Sequence, residues 1–88
     1  MLRITTTEAI GEKVKFRVDG QIAGPFVKLL QNTCESQMEN GMKVAIDLKH
    51  VSFADREGIT LLRSLAGRRV ELLNAEPFIA NQIGITRL

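Results

Sequence analysis

The sequence predicts a single small α/β domain, spanning residues 1–88, with a mixed β-sheet and the element order β-β-α-β-α-β-α. Three observations predict this fold. Residues 2–6 and 12–19 alternate between polar and apolar with a period of two, as half-buried strands do. Three strand-helix units follow one another from there, which favours parallel pairing of their strands. The two opening strands are joined by a short turn, so they are expected to pair in antiparallel fashion and make the sheet mixed.

The opening hairpin is predicted from alternation alone. Apolar residues alternate with polar ones in "LRITT" (2–6) and with basic ones in "EKVKFRVD" (12–19). Each pattern is that of a strand with one buried face. Gly11 lies between them, so the turn is placed there.

The first helix is predicted between Gly20 and Gly41, where the apolar period becomes helical. Pro25 suits a first helical turn and Gly41 a helix end. The residues expected on the buried face are Ile22, Phe26, Leu29, Leu30 and Thr33. The run "KVAIDL" (43–48) then has the composition of a central strand that is covered on both faces.

The second helix is expected to start near Arg56 and to end at Gly67. Its apolar positions are Ile59, Leu62, Leu65 and Ala66. "RVELLN" (69–74) is predicted to be the last strand, and Pro77 begins the last helix. That helix carries Phe78, Ile79 and Ile83.

The stretch "SFADREGITLL" (52–62) connects a buried strand to a helix and is rich in charge. Ligands and partners of open α/β sheets are met beyond the carboxyl ends of the strands. Asp55 is a suitable N-cap for the helix, and Glu57 is favoured in its first turn by the helix dipole. Gly58 lowers the helix propensity by about 1 kcal/mol relative to alanine, a cost that folding alone does not explain. The stretch is therefore predicted to be functional.

The segment "KVAIDLKHVSFADREGITLLRSL", followed by "RRVELLNAEPFIANQI", resembles the STAS domains, which include bacterial anti-sigma factor antagonists. The resemblance extends over nearly the whole chain. Members carry a strand with an aspartate, a short apolar segment and an Asp-Ser-Ser-Gly or similar run at a helix start. They also carry a glycine far upstream that opens the first long helix. The matching residues are Asp47, Val51, Phe53, Asp55, Gly58 and Gly20.

The resemblance implies a non-enzymatic regulatory domain in the partner-switching control of transcription. In the family, an anti-sigma factor kinase phosphorylates the serine or threonine that precedes the motif glycine. Glu57 stands at that position and Arg56 replaces the other serine, so no phosphorylation is expected there. Glu57 either imitates the phosphorylated state in part or contacts a partner that needs no switch. The residues expected on the partner-binding and switch surface are Gly20, Gln21, Asp55, Arg56, Glu57 and Gly58.

The implied partner is a protein, either a kinase-like, ATP-binding anti-sigma factor or, alternatively, a transport ATPase that the domain serves as an accessory subunit. A nucleotide-binding module is a further alternative, because some STAS domains bind nucleotides. The domain could also pair with itself. A cytoplasmic location is expected, because the sequence shows neither a secretion signal nor an apolar run of about 20 residues.

Other function classes find little support in the composition. Lys and Arg number 12 and Asp and Glu 10, which gives a net charge of +2. The basic residues are expected to lie on solvated faces rather than on nucleic acid, because no aromatic residue is interleaved with them. They fall into two small groups, namely Lys13, Lys15 and Arg17 in a strand and Arg63, Arg68 and Arg69 around the second helix.

No enzyme, metal site or cofactor is predicted. Nucleophilic catalysis needs a base beside the nucleophile, and the sequence offers no such grouping. His50 is a single histidine without a second plausible ligand. Cys34 is expected to be a small core or boundary residue.

Overall fold

A computed structural model describes residues 1–84 and places the strands and helices in the predicted order. The elements are β1 (Leu2–Ile10), β2 (Lys13–Ile22), α1 (Pro25–Glu39), β3 (Lys43–Ala54), α2 (Arg56–Gly67), β4 (Glu71–Leu73) and α3 (Pro77–Ile83).

The strands form one mixed sheet in the order β1-β2-β3-β4. β1 and β2 are antiparallel, whereas β2, β3 and β4 run parallel, as the sequence predicts. Gly11 and Glu12 make the hairpin turn between the paired residues Ile10 and Lys13. Gly11 has φ +60°, a left-handed conformation that tight hairpin turns require and that glycine adopts without strain. The turn is therefore where the sequence places it.

The core lies on one face of the sheet. Buried side chains alternate with half-buried or exposed ones along the first halves of β2 and β3, and the apolar sides of the helices join the same core cluster. The prediction that β3 is covered on both faces is wrong, because Ala45 and Asp47 on its other face are only half-buried. The signal in the sequence is that this face carries a small residue, Ala45, and a polar residue, Asp47, rather than large apolar residues. We call the uncovered side of the sheet the open face.

Helix α1 begins later than its apolar pattern suggests. Ile22 is fully buried, but it is the last residue of β2, where it pairs with Ala54 of β3. The assignment of Leu29 to the buried face is wrong as well, because 47% of this residue is exposed. Within α1 the fully buried residues are Leu30 and Cys34, one helical turn apart, so Cys34 is confirmed as a core residue.

The end of α2 shortens β4. The N–H of Val70 donates to Leu65 O and that of Arg69 to Ala66 O, the two bonds of a Schellman motif. Arg69 takes the left-handed position of this motif, with φ 69°, and Ala66 is exposed rather than buried. Residues 68–70 thus close the helix, so β4 starts only at Glu71.

Within residues 1–84, every helix is too short or too polar to cross a membrane.

Candidate functional site

Two loops meet at the edge where the parallel strands β2 and β3 end. The first leads from Ile22 into α1, and the second leads from Ala54 into α2. Because both strands run in the same direction, both helices begin at this edge. The starts of α1 and α2 therefore lie at the same edge of the sheet.

Asp55 ties the two loops together. Its Oδ1 accepts a hydrogen bond of 2.7 Å from Gly58 N, which confirms Asp55 as the N-cap of α2. Its Oδ2 accepts a second bond, of 3.0 Å, from Gly24 N at the start of α1. The N–H of Asp55 itself donates to Ile22 O over 3.1 Å. One residue therefore fixes the end of β2 and the beginnings of both helices.

The two loops also set the charge state of Asp55. The bond from the backbone N–H of Gly24, and then that from Gly58, hold the pKa of this carboxyl below its usual range. Hydrogen bonds to the charged form stabilise it, and the free N–H groups at helix starts favour an anion. Asp55 is thus a carboxylate at neutral pH and holds the loops in that form.

Gly58 has a packing role that the sequence does not reveal. The residue is buried, and a Cβ at this position would overlap the carbonyl oxygen of Ile22 and lie 3.1 Å from the Cγ2 of Ile22. The absence of a side chain lets α2 approach the end of β2. The expectation that folding does not explain Gly58 is therefore wrong.

Gly20 also has a structural position that differs from the expected one. It lies within β2, opposite Val51 of β3, and does not open α1, which begins at Pro25 with Gly24 as its N-cap. With φ 106°, Gly20 has a backbone that favours glycine, and a Cβ there would overlap the carbonyl oxygen of Met1. The close pairing of β1 and β2 therefore requires this glycine.

The exposed side chains around the tied loops include those of Gln21, Phe53, Arg56 and Glu57. Phe53 is 50% exposed at the end of β3, and Gln21 pairs with it in β2. Arg56 and Glu57 are exposed in the first turn of α2, and neither forms an ion pair within residues 1–84. We call this surface of Gln21, Phe53, Arg56 and Glu57 the loop face. The structure thus places Gln21 at the end of β2 and Arg56 and Glu57 at the start of α2, while Asp55, Gly20 and Gly58 fix the backbone of the elements that carry them.

The hydroxyl groups near the loop face are bound to the backbone. Ser52 Oγ donates to Gly20 O over 3.3 Å, and Thr60 Oγ1 donates to Arg56 O over 3.0 Å. Residues 1–84 contain no cluster of three or more side chains suited to hold a metal ion. His50 is an exposed residue of β3. The loop face therefore offers charge, one aromatic ring and fixed backbone geometry.

Sequence reasoning missed the contribution of Gly24, and it named Asp47 only as a match to the family, without its contacts. Asp47 Oδ1 accepts hydrogen bonds from Lys49 N, at 2.9 Å, and from Asn74 Nδ2, at 3.2 Å. Both bonds lower the pKa of the Asp47 carboxyl, and the bond from Lys49 has the larger effect. The bond from Asn74 also links β3 to the residue that follows β4. Gly24 lies 31 residues from Asp55, and no local pattern indicates their contact.

Comparison with known proteins reveals similarity in fold and not in sequence. No family model matches the sequence, and no curated protein matches it significantly. A solved structure is similar, however: the anti-sigma factor antagonist SpoIIAA in its unphosphorylated form, at a TM-score of 0.77 and 16% sequence identity. The similarity covers 96% of this chain and 84% of the SpoIIAA chain. The predicted STAS-like fold is thereby confirmed, with its mixed sheet and its order of elements.

Proposed function

We propose that this domain is a non-enzymatic regulatory module that binds a protein partner through the loop face. The partner we infer is a kinase-like, ATP-binding anti-sigma factor. The observation that carries the proposal is the double hydrogen bond of Asp55 to Gly24 and Gly58, which holds two loops as one surface in the fold of an anti-sigma factor antagonist.

The chemistry of the loop face suits protein binding. Phe53 presents a half-exposed ring, the kind of anchor around which interfaces concentrate their energy. Arg56 and Glu57, three and four residues further along the chain, add charges of both signs, which favours a partner with a complementary pair. Since Asp55 already fixes the backbone, little conformational entropy is lost when a partner binds.

The surface works without phosphorylation at the usual place. Glu57 has no hydroxyl group to receive a phosphoryl group, and a carboxylate carries less charge and fewer oxygens than a phosphate. The hydroxyls of Ser52 and Thr60 are already bound to backbone carbonyls. We therefore propose that Glu57 is a permanent contact residue, and that the domain binds its partner without a switch.

Affinity capture from the lysate of the source cell tests the partner. The bait is the wild-type domain, the loop-face variant Arg56→Ala/Glu57→Ala or the control variant Lys28→Gln/Lys49→Gln, whose exposed lysines lie elsewhere. We expect a kinase-like ATP-binding protein with the wild type and the control, and its loss with the loop-face variant. Recovery of an ATP-binding cassette protein in its place would contradict the proposal and favour the transporter alternative.

Intact-mass measurement tests the missing switch. After incubation with the captured kinase and ATP, we expect no added phosphate on the wild-type domain. A phosphate mapped to Ser52, Thr60 or Ser64 would contradict an unswitched surface. The variant Glu57→Ser separates the two roles of Glu57, because it weakens binding if Glu57 is a contact and strengthens binding if Glu57 imitates a phosphate.

A further inference from the structure

The open face of the sheet contains a groove at the edge opposite to the loop face. It lies where β2, β3 and β4 begin and has a volume of about 860 Å³. Nine residues of β3 separate Ala45 in the groove from Ala54 at the other edge, about 30 Å at the usual 3.3 Å per residue. A ligand of the groove therefore leaves the loop face free.

The groove is basic. Its cations outnumber its carboxylates by four to two, and none of the four forms an ion pair within residues 1–84. The cations are Lys13, Lys15, Lys43 and Arg69, and the carboxylates are Glu8 and Glu71.

Arg63 and Arg68, the other two arginines of the basic group around α2, have partners, and Arg69 differs from them in this respect. Arg63 donates two hydrogen bonds to Gln82 O, and Arg68 pairs with Glu35 at 3.2 Å. These contacts tie α2 to α3 and to α1. Only Arg69 of the three lines the groove.

Two features of this basic cluster are unfavourable to the fold. Lys13 and Lys43 are register partners on neighbouring strands, and like charges at such positions repel each other. Arg69 holds a left-handed position, with φ 69°, where glycine is the usual residue. Four cations that line one groove and form no ion pair within residues 1–84 favour the binding of an anion there.

The other residues that line the groove indicate which kind of anion it suits. Ile10 is 71% exposed at the hairpin, and Ala45 and Leu73 are half-buried on the open face. Among residues 1–84, no aromatic residue lines the groove, so nucleobases find no ring there on which to stack. An extended peptide with alternating acidic and apolar side chains satisfies both the cations and the apolar positions, because its side chains alternate with a period of two.

We propose that the groove binds an extended acidic segment of a second protein partner. The domain is then an adaptor with two partner sites, one at each edge of the sheet. The groove site rests on the open face alone, so it does not depend on the function proposed for the loop face.

Fluorescence anisotropy tests the groove with a labelled peptide of about eight residues that alternates glutamate and leucine, long enough to cross the sheet. At low salt we expect the wild-type domain to bind it, and Lys13→Gln/Lys43→Gln to weaken binding about tenfold or more. The matched control Lys28→Gln/Lys49→Gln removes the same charge elsewhere and is expected to change binding less than about twofold. Equal binding by the two double variants would overturn the proposal.

Arg69→Gly separates binding from folding. It is expected to weaken peptide binding while it raises the melting temperature, a combination that loss of structure cannot produce. In NMR titrations, the peptide should shift the amides of Lys43 and Ala45 and leave those of Asp55 and Gly58 unchanged. Shifts at the loop face instead, or a single-stranded oligonucleotide that binds as tightly and loses affinity in the same variants, would overturn the assignment to an acidic peptide.

Discussion

Gly58→Ala gives a prediction in which two physical effects have opposite signs. Alanine raises the helix propensity of α2 by about 1 kcal/mol relative to glycine. The added Cβ, however, overlaps the carbonyl oxygen of Ile22. That oxygen cannot turn away freely, because it accepts the N–H of Asp55 at 3.1 Å. Overpacking against a fixed neighbour costs about 1–3 kcal/mol and can exceed this range when the backbone has to move. We expect the clash to prevail, with a net loss of about 1–2 kcal/mol.

Gly67→Ala is the matched control in the same helix. A Cβ at Gly67 meets no atom within 4 Å, so only the propensity term remains. This variant should be more stable by about 0.5 kcal/mol. Urea unfolding followed by circular dichroism measures the change in the free energy of unfolding of both variants. Thermal unfolding measures the same changes as shifts of the melting temperature, by about 4–8 °C for each 1 kcal/mol in a domain of this size. A Gly58→Ala domain as stable as Gly67→Ala would refute the packing role of Gly58.

Three further predictions concern stability and reactivity. Arg69→Gly should raise the free energy of unfolding by about 1 kcal/mol, because glycine removes the strain of the left-handed residue; an unchanged urea midpoint would contradict this. The pKa values of Asp47 and Asp55 are lowered in the folded state, so both carboxylates stabilise the fold. This contribution to the free energy of unfolding is complete above the ordinary pKa of about 3.9, and it is lost as the pH falls through the lower folded values. Asp47→Asn/Asp55→Asn should therefore flatten the pH dependence of unfolding below about pH 4, and an equally steep dependence would show that neither carboxyl is linked to folding. Burial, and to a smaller extent the charge of Glu35, raises the pKa of the Cys34 thiol from 9.0 to about 11. At neutral pH, Cys34 of the folded domain should therefore react with a disulfide reagent about a hundredfold more slowly than in the urea-unfolded chain. Comparable rates would argue against a buried thiol.

The order of elements was predictable because each strand and helix carries its own period. Element boundaries were harder, because pairing between distant strands decides them. Ile22 fits the helical pattern of α1, but its pairing with Ala54 keeps it in β2. β3 continues to Ala54, six residues past the apolar run 43–48, since β2 pairs with it there. Burial on one face or both depends on where helices pack, which the run "KVAIDL" does not encode.

The position of the candidate site was predictable, but its internal connections were not. Asp55 as a cap and the exposed charges of Arg56 and Glu57 follow from local sequence. The bond from Gly24 to Asp55 joins residues far apart in the chain, and the close approach of Gly58 to Ile22 depends on three-dimensional packing. Likewise, the groove cations come from three separate segments and meet only when the sheet forms.

Hydrogen–deuterium exchange of the domain with and without its captured partner tests the central claim most directly. If the partner binds the loop face, peptides that cover residues 20–26 and 53–60, where the tied loops lie, should exchange more slowly in the complex than in the free domain. Peptides that cover residues 13–15 and 43–45, at the opposite edge of the sheet, should exchange at unchanged rates. Protection confined to that opposite edge, with the loops unaffected, would contradict the assignment of the loop face as the site of this partner.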